Sequence, residues 1–199
     1  MKTFTFVKQT MIQATFVALI FLVASCGTNQ QRDSKDVAQD ENEARFDRDR
    51  QQNDAQFLVN IAEINMKQIQ LGQLAQQKGT TTHVKELGKM MEDAHTKSQR
   101  ELTALARSKS ITIPTTATND VRDAYNDLNE KTGVDFDKAY ADLMVSRNED
   151  AISAFEKATT DNYDTEIKNW AIASLPALRT NLNHAIESKR LNDETRATR

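Results

Sequence analysis

From Asn53 to Glu187 the apolar residues recur three and four places apart, in four long stretches separated by turn signals. A stripe with that period lines one face of an α-helix; a strand would need a period of two. The first stretch carries Phe57, Ile61, Ile64, Leu71, Leu74 and Ala75 and stops at Gly79, after which Thr80 to Thr82 supply a turn with N-capping side chains. The second runs from about His83 to Lys109, with Val84, Leu87, Met91, Ala94, Ser98, Leu102 and Leu105 on one stripe. Ile111-Thr112-Ile113-Pro114 breaks it, because proline disfavours helix in the residue before it. A shorter helix, Asn119 to Lys131, carries Val121, Tyr125 and Leu128 and ends before Gly133. The third long helix spans about Asp135 to Thr160, with Phe136, Tyr140, Leu143, Arg147, Ala151 and Phe155. Asp161-Asn162 marks a turn and Asp164 caps the fourth helix, which carries Ile167, Trp170, Ala171, Leu175, Leu178, Leu182 and Ala185. Pro176 falls inside it and predicts a kink.

Only five glycines and two prolines interrupt a chain rich in Ala, Gln, Glu, Lys, Asp and Leu, which favours helix over sheet. Four amphipathic helices of about 25 residues, each roughly 38 Å long, pack as an all-α four-helix bundle over residues 53–187. The tight turn after Gly79 makes the first two antiparallel. The crossover 110–133, with its short extra helix, lets the third run parallel to the second, as in ferritin-like bundles.

Upstream, Met1 to Ser25 has the parts of a secretory leader: Lys2 and Lys8, then a mainly apolar core from Ala14 to Ala24, too short to span a bilayer. Val23-Ala24-Ser25-Cys26 looks like a bacterial lipoprotein box, which implies cleavage before Cys26 and acylation of its sulfur and new amino terminus. Several acyl chains give stable anchoring where one gives only marginal binding. Cys26 is the sole cysteine, so once acylated it leaves no thiol for disulfide, metal or redox chemistry. Gly27 follows it in place of an acidic retention signal, which favours the outer membrane, facing periplasm or surface. Residues 26–52 are polar and read as a tether, disordered or loosely helical, and 188–199 as a polar tail that frays. With 26 basic against 29 acidic residues the chain lacks the basic stripe that nucleic acid requires.

Paired carboxylates and histidines are the one constellation with catalytic potential. Di-metal bundles use a Glu on each of two helices and Glu-x-x-His on the others. Glu92-Asp93-Ala94-His95 has that spacing, Asn181-Leu182-Asn183-His184 has it with an amide for the carboxylate, and Glu63 and Glu149 could complete an inward set. The candidate metal ligands are therefore His95, Glu92, His184 and Glu63. The plainer expectation is a half-buried, hydrogen-bonded His95 with Glu92, Glu149 and His184 at the surface. Arg147, on the inner stripe, either snorkels outward or pairs with Glu63 or Asp93. A small-molecule carrier would rest on Trp170 and Tyr140, which the stripes place in the core.

Phe57-Leu58, Gln70 to Ala75, Met91 to Lys97, Gly133 to Tyr140 and Leu175 to Arg179 occur in an order that resembles the bacterial family catalogued as domain of unknown function 4142. The resemblance covers about residues 54–187. It implies a ferritin-type bundle, often exported or lipid-anchored, and no settled activity. It also implies interior polar positions, which here read Gln68, Ala94-His95, Arg147-Asn148 and Asn181. Of these only His95 is a metal-ligand type, and a divalent ion needs anionic or imidazole ligands. Gln68, His95, Arg147, Asn148 and Asn181 are instead expected to form a buried polar network. No cofactor is required by these residues. The sequence thus leads to a non-enzymatic, lipid-anchored envelope bundle whose partners are the membrane, through Cys26, and an envelope protein. The alternative is a ferritin-like metal-binding protein or oxidase.

Overall fold

The computed structural model describes residues 32–161 and 163–197, the Arg196 side chain excepted. The leader, Cys26 and Asn162 lie outside the described residues. The described residues form six helices: α1 (Ser34–Arg45), α2 (Asp49–Lys78), α3 (Thr82–Ser108), α4 (Asn119–Asn129), α5 (Gly133–Thr160) and α6 (Thr165–Ala197). The protein is an all-α helical bundle. The long helices are α2, α3, α5 and α6, and α4 is the short helix of the crossover.

Helix direction follows from pairwise contacts. Asn65 meets Ser98 while Gly72 meets Gly88, so α2 and α3 are antiparallel. Phe57 packs on Phe155 and Thr80 bonds Asp137, so α2 and α5 are antiparallel as well. The crossover therefore sets α5 parallel to α3, as its length predicts. Arg179 bonds Glu156 and Lys189 bonds Asp142, which closes the second hairpin, α5 with α6.

Local chemistry explains the ends. The Thr118 hydroxyl caps α4 by accepting from Val121 N–H, and the Asp164 carboxylate accepts from Glu166 N–H at the start of α6. Gly79 ends α2, and a side chain there would be crowded, since a Cβ would lie 2.6 Å from the Ala75 carbonyl oxygen. Gly133 opens α5 at φ +60, a conformation that glycine adopts without strain. α6 runs through Pro176, whose exposed ring leaves the unpaired Ile172 carbonyl on the solvent side.

Two expectations are corrected. Residues 34–45 are no tether: α1 lies on α2 with Ala38 and Asn42 buried, and Phe46 enters the core just after it. Its docking is polar, which hydrophobic periodicity does not register. Lys35 pairs with Glu63 at 2.6 Å, the Asn42 amide makes two bonds to the Thr112 backbone, and Ser34 donates to the Thr116 carbonyl. The frayed tail is corrected too, because α6 continues to Ala197 with Ser188 and Asn192 buried. Asn192 Oδ1 accepts from His83 Nε2 (2.8 Å) and its Nδ2 donates to the Asp137 carbonyl, which holds this turn of α6 to α3 and α5.

Candidate functional site

The apolar interior is split into two clusters. One is built from Phe57, Leu58, Ile61, Leu102, Phe155 and Leu178, among others. The other contains Leu71, Leu74, Leu87, Met91, Phe136, Tyr140 and Met144. On every long helix the residues between the two clusters include a buried polar side chain: Asn65 and Gln68 on α2, His95 on α3, Asn148 on α5 and Asn181 on α6. The bundle therefore has a polar layer of amides and one imidazole at mid-height, flanked on α2 by the buried Lys67, which is paired with Asp120. Gln68, His95, Asn148 and Asn181 are the positions that the sequence predicts for it.

Within the layer the geometry is specific. Asn65 Nδ2 donates to Ser98 Oγ at 3.1 Å and to Gln99 Oε1 at 3.3 Å. That orientation turns Asn65 Oδ1 toward His95 Nδ1, 2.9 Å away, where it accepts the Nδ1 proton. The hydrogen bond fixes the tautomer, leaving Nε2 as a lone pair. Burial lowers the His95 pKa to about 4, so the ring is neutral at physiological pH. His95 Nε2 is buried without a partner, as are both amide atoms of Gln68 and Asn148 Oδ1. Asn148 Nδ2 is occupied by the Met144 carbonyl at 2.8 Å and also faces Met91 Sδ at 3.8 Å.

The expected network is corrected in detail. No hydrogen bond joins any two of Gln68, His95, Arg147, Asn148 and Asn181. Arg147 is half-exposed, with its Nε buried and unpartnered and its guanidinium 3.7 Å from Asp150; it forms no ion pair with Glu63 or Asp93. The partner that orders His95 is Asn65, which the sequence reading missed. An asparagine on the buried stripe between Ile61 and Gln68 was the available signal, since Asn is unfavourable inside a helix unless its amide is used.

The candidate ligands His95, Glu92, His184 and Glu63 do not converge. Glu63 is buried beside α1, where it accepts from Lys35 and from the Thr118 hydroxyl. Glu92 accepts from Gln73 and Gln76, whose amides hold its carboxyl below the usual range. His184 is exposed, and so is Glu149. Among the described residues no three His, Cys, Asp or Glu side chains are grouped to hold a metal ion. The layer offers amides, a thioether and one imidazole, a set without the negative charge that a divalent ion requires.

The family model described as domain of unknown function (DUF4142) matches residues 29–187. The chain belongs to this family. The match begins upstream of α1, in agreement with α1 being part of the DUF4142 domain. No curated protein and no solved structure matches the chain significantly. Among the described residues no helix is long and apolar enough to cross a membrane.

Proposed function

We propose that this DUF4142 protein is a lipid-anchored, non-enzymatic helical-bundle module of the bacterial envelope, acting by interaction or envelope support. The observation that carries this reading is the run Val23-Ala24-Ser25-Cys26 at the end of an eleven-residue segment, Ala14 to Ala24, of mainly apolar character. The neutral polar layer supports it, because amides and an uncharged imidazole supply neither a nucleophile with its base nor a pair of carboxylates. Six residues, Gly27 to Arg32, separate Cys26 from the α1 cap at Asp33. Six residues reach at most about 20 Å. An acyl group on Cys26 would therefore hold the bundle close to the lipid surface, and the helical α1 removes the long spacer expected from the sequence. The outer membrane is the favoured location, with an envelope protein as the partner.

Metabolic labelling with palmitate tests the anchor. Label is expected on the wild-type chain and absent from Cys26→Ala. Equal label on both overturns the reading.

A further inference from the structure

We propose that the seam between α3 and α6 is a binding site for a small uncharged aromatic molecule carrying a hydrogen-bond donor. The two hairpins meet here across a cleft of about 260 Å³. Its width has a sequence cause: Ala94 on α3 faces Ala173 and Ala177 on α6, and no large side chain fills the space between them. One end is walled by Phe155 and Trp170, whose ring centroids are 5.1 Å apart at 52°. Aromatic walls of this kind favour a flat ring as occupant, and the volume limits it to one small ring system.

The polar groups of the cleft choose the substituent. Asn181 lines it, is 6% exposed, and its side chain makes no hydrogen bond among the described residues. His95 lines it too, and its Nε2 is unpartnered. Asn65 holds the proton on Nδ1, so Nε2 can only accept and the ligand must donate. Nε2 is closed off from solvent, so a donor reaches it only once a neighbouring side chain moves, and the Asn181 amide on the cleft wall is free to do so. The rim favours neither sign of charge, since Lys97 and Glu101 lie 3.9 Å apart and Glu101 also accepts from Trp170 Nε1 at 3.4 Å. A buried acceptor left unpaired, as His95 Nε2 is, costs stability. A donor ligand would satisfy such groups where an apolar one would not.

Trp170 is the only tryptophan in the chain, so its emission reports the cleft directly. The purified full chain is titrated with phenol and with fluorobenzene, near-isosteres of which only phenol donates. Phenol is expected to shift Trp170 emission saturably, with fluorobenzene about tenfold weaker, the worth of one hydrogen bond. His95→Leu is expected to erase that difference, and Ala177→Phe, which fills the cleft from its exposed rim, to abolish both responses; circular dichroism verifies that each variant is folded. The proposal is overturned if phenol gives no saturable response, if the two probes bind alike in the wild type, if their difference survives in His95→Leu, or if Ala177→Phe leaves binding unchanged.

Discussion

Asp137 holds Thr80 twice: its carboxylate accepts the Thr80 backbone N–H at 2.9 Å and the Thr80 hydroxyl at 2.5 Å. The same carboxylate accepts from the N–H and hydroxyl of Thr81, so one side chain of α5 clamps the turn between α2 and α3. The other hairpin turn is held in a matching way, because Asp54 of α2 accepts the Asp164 N–H at 2.9 Å, just before α6. Each hairpin thus has its turn fixed by a carboxylate from the other. The two clamps differ in how much charge they use. Both Asp137 oxygens are engaged, whereas among the described residues Asp54 accepts a hydrogen bond through one oxygen only, and burial raises the Asp54 pKa. Asp137→Asn should cost about 2 kcal/mol, since its amide nitrogen would face donors. Asp54→Asn keeps the acceptor and sheds a penalised charge, so its stability should stay within about 0.5 kcal/mol of wild type at neutral pH. Denaturant titration of the two variants checks the contrast, and equal losses would contradict it.

The His95 ring sets an acid limit on the bundle. Its folded pKa of about 4 lies below the ordinary value of 6.5 because burial disfavours the charged ring. A lowered folded pKa means that the unfolded chain takes up the proton first. His95 therefore contributes no penalty above about pH 6.5, and stability falls as pH drops from there toward 4. The full loss is about 3 kcal/mol, with ~2 kcal/mol of it present by about pH 5. His95→Gln cannot be protonated. The difference between wild-type and variant unfolding free energies should therefore narrow by that amount between about pH 7 and pH 5. A difference that stays constant with pH would show that the ring is not buried and neutral.

Much of this architecture was legible. The four stripes gave the long helices to within a few residues, save for the last ten residues of α6, because each buries a continuous apolar face and period is then the strongest signal. The polar layer was legible through the family resemblance, which implies interior polar positions at Gln68, His95, Asn148 and Asn181. What escaped notice depends on partners far along the chain. Asp54 and Asp137 look like ordinary first-turn acids, and their hydrogen-bond partners lie 110 and 57 residues away. Asn65 escaped because its partners are on α3. The helix α1 has few apolar residues, and its fit to the crossover is written in amides, hydroxyls and charges. Glu92 and His184 were candidate ligands by spacing alone. Spacing fixes a helix face and says nothing of which groups across the interface have already claimed the carboxylate.

The closest approach of α2 and α3 reverses the usual rule for glycine. Replacing a mid-helix glycine by alanine ordinarily stabilises by up to about 1 kcal/mol. A Cβ on Gly72 would lie 2.5 Å from the Gly88 carbonyl oxygen, and a Cβ on Gly88 would lie 2.7 Å from the Gly72 carbonyl oxygen and 2.9 Å from Ala75 Cβ. The nearest obstructing atoms are backbone carbonyl oxygens, so only separation of the two helices relieves the clash. Gly72→Ala and Gly88→Ala should each destabilise by about 2–3 kcal/mol. Thermal melts should show this as a drop of roughly 2–4 °C per kcal/mol for a chain of this size. A rise in either melting temperature would mean that the helices do not approach this closely.

Asn42 joins α1 to the crossover through both ends of its amide: Nδ2 donates to the Thr112 carbonyl at 2.7 Å and Oδ1 accepts the Thr112 N–H at 2.8 Å. The side chain is buried, so truncation removes two bonds from groups that water reaches poorly. Lys35 with Glu63 and Ser34 with Thr116 remain to hold the start of the helix. Asn42→Ala should therefore loosen α1 by about 2 kcal/mol without unfolding the bundle. Amide hydrogen exchange separates the two levels of stability. Protection should fall across α1 and residues 110–118, while the midsections of α2, α3, α5 and α6 exchange as in the wild type. Uniform loss of protection would instead make α1 an integral part of the folding unit, and unchanged protection would show that the amide bridge to Thr112 carries none of its docking.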